Sequence, residues 1–202
     1  MEKKKSKVKI ALAVMLSIVI AFAGIFTASR VYRISVTPEE YMIKTENYFD
    51  YQSHLECSGY ASAYALRSLG EDVTGLELYE SFTDKNEDGT LAPIFLRKNL
   101  IKMGYKCSLR FGTVEDLKYE VSRGTPVVVL IRWNSYQDSI LHYVPVVGYD
   151  EKFIYVADSM RDKVNADNEH YNRKIEIEYF KELWVTDVAP LDNIYLTIGL
   201  CA

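Results

Sequence analysis

Four residues spread along the chain could together break an acyl bond: Gln52, Cys57, His142 and Asp158. Cys57 stands where the polar stretch YQSHLE gives way to the small-residue run SGYASAYALRSLG, which places it on the first turn of a helix. The unpaired N–H groups of a first turn and the positive end of the helix dipole favour a thiolate, the form that attacks a carbonyl. Such a nucleophile needs a histidine to shuttle the proton, a group to orient that histidine, and a donor for the developing oxyanion. His142 opens the segment HYVPVVGYD, Asp158 closes the next segment FIYVADS, and Gln52 lies just before the thiol, so each role has a candidate.

The elements that must position them follow from periodicity. Val127–Trp133, Leu141–Tyr149 and Phe153–Ala157 are rich in β-branched and aromatic residues and are separated by short polar or glycine-bearing turns, which predicts antiparallel strands. A tight turn around Asp150–Lys152 would set the start of one strand beside the end of the next, bringing His142 within reach of Asp158. Upstream the pattern is helical. Ala61, Ala65, Leu66 and Leu69 share a face ahead of Gly70; Thr74 starts a second helix; Ala92–Met103 forms a third with Pro93 in its first turn. Thr113 caps a fourth, with Glu115 and Asp116 behind it, and Thr37-Pro38-Glu39-Glu40 carries the same kind of start signal. Ile175–Trp184 mixes a strand end with a helical turn, and Ile194–Leu200 supplies a last strand. Helices first and strands later predict an α+β domain, a helical half packed on an antiparallel sheet half, with a cleft along the seam.

At 202 residues and 49% apolar, the chain can build one sizeable core and an appendage. Lysines 3, 4, 5, 7 and 9 precede an uncharged run, Ile10–Ser29, whose helical length of about 30 Å matches a hydrocarbon core. The lysines predict that this end stays in the cytoplasm and that everything beyond Arg30 lies outside. Ala21-Phe22-Ala23 has the small-x-small form of a signal-peptide cleavage site, so anchor and cleaved signal stay open as alternatives. The expected organisation is a basic tail with a transmembrane anchor or signal peptide over 1–33 and a globular domain over 34–202. That makes the chain a single-pass membrane protein with its C-terminal domain outside, or a secreted one if cleaved. Seven basic residues against Glu2 give 1–33 a net +6; with −4 for the whole chain, the remainder carries −10, which argues against nucleic acid as a partner.

Other chemistry-bearing residues form no constellation. Cys107, in the alternating YKCSLRF, reads as a buried strand residue, and a bridge to Cys201 stays open. His54 is a minor alternative base, His170 sits in the polar stretch Asp162–Arg173, and the three histidines are too scattered for zinc. Asp84, Asn86, Asp88 and Gly89 match the first half of an EF-hand loop, but Phe95 stands where its bidentate glutamate belongs. No metal or cofactor is therefore expected. Tyr60, Tyr64, Tyr143 and Tyr149 are expected to build core and cleft walls, and Trp133 and Trp184 could screen the Cys/His pair from water, although packing is the simpler account.

Taken as an ordered set, Gln52 through Cys57 with its small-residue helix, His142-Tyr143-Val144 opening a strand, and Ala157-Asp158 closing the following one resemble the papain-like cysteine peptidases. Within them, the resemblance is to the group related to the bacteriocin leader-processing, double-glycine-leader peptidases. The resemblance covers most of residues 48–160. It implies a papain-like fold with Cys57 as nucleophile, His142 as general base and then acid, Asp158 orienting His142, and Gln52 in the oxyanion hole. Three positions depart from that pattern: Ser58 intervenes before Gly59, Gln52 is one residue closer to the cysteine than usual, and Ser159 follows Asp158 where proline is frequent. Together with the N-terminal segment, this leads to the expectation of an exported, membrane-anchored cysteine peptidase working through an acyl-enzyme on a peptide or protein substrate, with an exporter or small peptide as a candidate partner. Acyl or peptidyl transfer, and a catalytically silent peptide-binding module, are the alternatives.

Overall fold

The apolar run at the N-terminus and the patterned segments after it form two compact units, 1–37 and 38–202. The structure is a computed structural model that describes residues 2–136 and 140–200, with side chains from Val14 onward. The first unit is one helix, α1 (Glu2–Val36), longer than the uncharged run because no proline interrupts it before Pro38. Its part from Val14 to Val36 is long and apolar enough to cross a membrane by length and composition.

In the second unit five helices meet a seven-stranded antiparallel sheet among the described residues. The strands are β1 (Tyr41–Met42), β2 (Lys106–Phe111), β3 (Val127–Arg132), β4 (Leu141–Tyr149), β5 (Phe153–Val156), β6 (Arg173–Glu176) and β7 (Ile194–Gly199). The helices are α2 (Cys57–Arg67), α3 (Gly75–Ser81), α4 (Pro93–Lys102), α5 (Val114–Val121) and α6 (Ile177–Trp184). Strand order is β2-β7-β3-β4-β5-β6, with β1 added to the Tyr149 end of β4. The predicted α+β architecture, a helical half on an antiparallel sheet, is the one found.

β3 is buried along its whole length, and its alternation divides the core. Val127, Val129 and Ile131 join the side chains of α5 and α6, whereas Val128 and Leu130 join those of α2, α3 and α4. Local signals placed the helix starts well. Thr74 and Thr113 each form a full capping box, with Glu77 and Asp116 respectively.

The start signal at Thr37 does not make a helix. Its hydroxyl donates instead to the Arg33 carbonyl at 2.8 Å. The chain beyond is extended, Tyr41 and Met42 pairing with Tyr149 and Gly148 while the Tyr149 hydroxyl donates to the Pro38 carbonyl at 3.1 Å. A ladder and a buried tyrosine's hydrogen bond outweigh a local cap.

Every residue of α2 is buried, which its small side chains permit. At Gly59 a Cβ would lie 2.4 Å from Tyr79 Cβ and 2.5 Å from the Gly75 carbonyl oxygen, so α2 and α3 touch backbone to backbone. Alanine would ordinarily gain up to about 1 kcal/mol in mid-helix. Here the backbone contact reverses the sign, and Gly59→Ala is expected to cost about 3 kcal/mol, read as a lower urea midpoint at unchanged slope.

Candidate active site

Cys57 is the first residue of α2. The Glu56 carbonyl accepts the first helical bonds, from the N–H groups of Gly59 (2.9 Å) and Tyr60 (3.3 Å), which leaves the Cys57 N–H among the donors a helix start cannot pair internally. The approach to the thiol is organised by Glu56 itself, whose buried carboxylate folds back to accept the N–H groups of Ser53 and His54, each at 3.0 Å.

His142, second residue of β4, is 3% exposed. Its Nε2 lies 2.9 Å from Asp158 Oδ1. The strand geometry that joins them includes a bulge: Tyr149 pairs with Ile154 and Gly148 with Tyr155, but Val156 pairs with Val146, skipping Val147. Carried on, the shifted register sets Asp158 opposite Val144, two residues from His142 and on its face of β4. Without the bulge Asp158 would oppose Pro145 and face away.

With Nε2 held by Asp158, Nδ1 is the ring nitrogen left for the thiol. Burial pulls the imidazole's pKa down, but the charge and hydrogen bond of Asp158, with a further hydrogen bond and charge from Cys57, outweigh it and raise it to about 9. Asp158 responds in the opposite sense. Burial pushes its carboxyl up, yet His142 and Arg173 together hold it down at about 2. Both directions favour a charged pair.

Asp158 is also clamped by residues that the sequence did not point to. Arg173 Nη1 donates to Asp158 Oδ2 at 2.8 Å, and the Met160 N–H donates to Oδ1 at 2.9 Å. The Asn172 side chain brackets its backbone, accepting from the Asp158 N–H (2.7 Å) and donating to the Asp158 carbonyl (2.8 Å). A signal for Arg173 did exist. In RKIE the residues at positions 173 and 175 point inward, so an arginine shares a face with Ile175 and needs a buried anion.

Gln52 is fixed at both ends of its amide: Oε1 accepts from Ser159 Oγ at 2.6 Å, and Nε2 donates to the His54 carbonyl. All four predicted residues therefore fall around one end of β4, and the ring contact of Trp133 with His142, centroids 6.3 Å apart, adds a cover that Lys163 overlies at 4.6 Å. Trp184 takes no part; it is buried beside Phe180 and Tyr195, donating to the Ile194 carbonyl at 2.9 Å. His54 contributes its backbone, and His170 pairs with Glu169 at 3.1 Å. In the 84–90 loop, Asp84 pairs with Lys98 and Asp88 accepts from Thr90. Burial pushes the Cys107 thiol up to about 11 against the nearby Arg97 charge, as suits a structural residue. Cys201 lies outside the described residues.

A cleft of about 350 Å³ opens at Cys57, floored by Leu130, Leu141, Tyr143 and Leu91 and rimmed by Asn86, Asp88 and Thr90. The Tyr143 hydroxyl donates to the Leu91 carbonyl at 2.9 Å and so holds two walls together. A larger surface cavity of about 440 Å³, between Glu40–Lys44 and Tyr149–Tyr155, contains no thiol or imidazole.

The same fold recurs in solved structures. A C39-like peptidase from Bacillus anthracis is 16% identical at a TM-score of 0.59, covering 82% of this chain and 99% of that one. The peptidase domain of Streptococcus ComA, a bifunctional ABC transporter of a quorum-sensing pathway, is 14% identical at 0.59, covering 76% and 98%. A double glycine motif protease from an AMS/PCAT transporter, in complex with its leader peptide, is 18% identical at 0.52, covering 79% and 94%. At these identities the likeness is one of fold. No curated protein matches the chain in sequence.

Fold and family match together define a peptidase-type domain. The chain belongs to the Peptidase_C39 like family, whose model matches residues 46–188.

Proposed function

We propose that this chain is a membrane-tethered cysteine peptidase whose catalytic unit acts outside the cytoplasm. The observation that carries the proposal is the buried His142–Asp158 pair, 2.9 Å across, set beside a cysteine that begins a helix and lines a cleft. The thiolate of Cys57 attacks the scissile carbonyl carbon, and the oxyanion is met by the Cys57 N–H and the Gln52 amide. Imidazolium His142 gives its proton to the departing amine, leaving a thioester on Cys57. Neutral His142 then takes a proton from water, whose oxygen attacks the thioester and releases the acid and the thiolate. Asp158 holds the ring in place and stabilises its charged form without itself accepting the proton.

The lysines at the start of α1, ahead of its apolar part, support an orientation with that end in the cytoplasm and the C39 unit outside. The substrate is a peptide delivered across the membrane, by an exporter in the simplest arrangement, and a double-glycine leader is the first candidate because a relative in fold is described as a double glycine motif protease. The full chain in lipid nanodiscs is expected to release aminomethylcoumarin from a peptide ending in Gly-Gly-aminomethylcoumarin, and iodoacetamide on Cys57 should stop it. Because imidazolium is the acid of the first step, kcat/KM should fall above about pH 9. Binding of the peptide with no turnover at any pH would instead indicate a silent peptide-binding module.

A further inference from the structure

We infer that Ser159 is a positioning residue that holds the Gln52 amide as the side-chain donor to the oxyanion, an inference that rests on Cys57 being the nucleophile. Gln52 and Ser159 are joined twice. The Gln52 N–H donates to the Ser159 carbonyl at 3.0 Å, and Ser159 Oγ donates to Gln52 Oε1 at 2.6 Å.

The two bonds differ in what they accomplish. The backbone bond brings the segment before Cys57 against the segment that carries Asp158. The hydroxyl bond acts on the amide's orientation. A terminal amide torsion is soft, and its oxygen and nitrogen ends are nearly the same size, so only partners decide which way it faces. The His54 carbonyl can only accept and must meet Nε2. Ser159, which can donate, then completes the pair at Oε1. Held so, the amide turns its nitrogen toward the loop leading into Cys57 and keeps a second N–H for a ligand. Without the hydroxyl, Oε1 loses its donor and the amide hangs from the single contact at His54.

Ser159 is 5% exposed and directly follows Asp158, so the residue that orients His142 and the residue that orients Gln52 are neighbours on one strap. Acid–base geometry and oxyanion geometry are thereby set from the same piece of backbone.

The test compares the wild-type chain with Ser159→Ala and Ser159→Thr. Three readouts are taken: steady-state hydrolysis of the Gly-Gly-aminomethylcoumarin peptide, the rate of Cys57 alkylation by iodoacetamide, and the Gln52 side-chain amide signals in a ¹H–¹⁵N spectrum. Iodoacetamide reacts at a saturated carbon and forms no oxyanion. Ser159→Ala should therefore lower kcat about 10-fold, less than outright loss of an oxyanion donor, and leave KM and the alkylation rate as they were. Ser159→Thr should restore kcat, and the paired Gln52 amide signals should broaden in Ser159→Ala only. Wild-type kcat in Ser159→Ala, or an alkylation rate that falls in step with kcat, overturns the assignment in favour of a purely structural contact. Should the wild-type chain hydrolyse nothing, the peptidase proposal fails, and the amide signals alone decide the Ser159 link: broadening supports it and unchanged signals overturn it.

Discussion

Cys57→Ala and His142→Ala are each expected to lower kcat/KM for the Gly-Gly peptide by about 10³-fold or more, a loss of about 4 kcal/mol of transition-state stabilisation. The double variant should lose little beyond either single one. A thiol without its proton shuttle and an imidazole without its nucleophile are equally idle, so the two effects do not add. Neither substitution should unfold the domain. Cys57 sits at a helix start whose capping bonds come from the Glu56 backbone, and removing His142 leaves Asp158 still paired with Arg173. Initial rates, with circular dichroism as the control for folding, measure both.

The second large effect belongs to Arg173. Arg173→Met leaves the Asp158 carboxylate buried with one of its two ionic partners gone, which should cost about 3 kcal/mol of stability, read from urea denaturation. It should also move the alkaline limb of kcat/KM upward. A positive charge near imidazolium disfavours it, so removing Arg173 raises the His142 pKa still further. Asp158→Asn predicts the reverse, because the largest influence holding His142 above its ordinary value disappears, burial is left to act, and the limb falls toward neutral pH. Opposite shifts from two neighbours in one chain of contacts would be hard to obtain from general loosening of the fold.

The same pair sets where the ionic contribution to stability is greatest. His142, raised in the fold, contributes fully below its unfolded value of about 6.5, and that contribution is lost as pH rises through about 9. Asp158, depressed, contributes fully above its unfolded value of about 4 and loses it as pH falls through about 2. Between about pH 4 and 6.5 both contributions are complete.

What the sequence made legible was whatever depends on near neighbours. Thr74 and Thr113 announced their helices three residues ahead through an acid at the right spacing. The valine-rich strands β3 and β4 announced theirs by composition, and the short turn after Tyr149 implied that His142 and Asp158 could meet. Contacts between distant segments left no such trace. β7 enters the sheet between β2 and β3, a pairing that nothing in residues 194–199 specifies locally. The bulge at Val147 that turns Asp158 onto the His142 face does carry a local mark, Gly148 beside it, but a lone strand glycine does not say how the register shifts. Thr37-Pro38-Glu39-Glu40 gave a local signal that long-range pairing overrode. Gln52 and Ser159 looked like two unrelated departures from the family pattern, yet in the fold they are bonded to each other across 107 positions of sequence.

The central claim, that Cys57 forms an acyl-enzyme, is tested most directly by acid-quenching the full chain during turnover of a Gly-Gly peptide ester and mapping the adduct by mass spectrometry. The account predicts a thioester on the peptide that contains Cys57, present in wild type and absent from Cys57→Ala. Hydrolysis that persists in Cys57→Ala, or an adduct carried by any other residue, would contradict it.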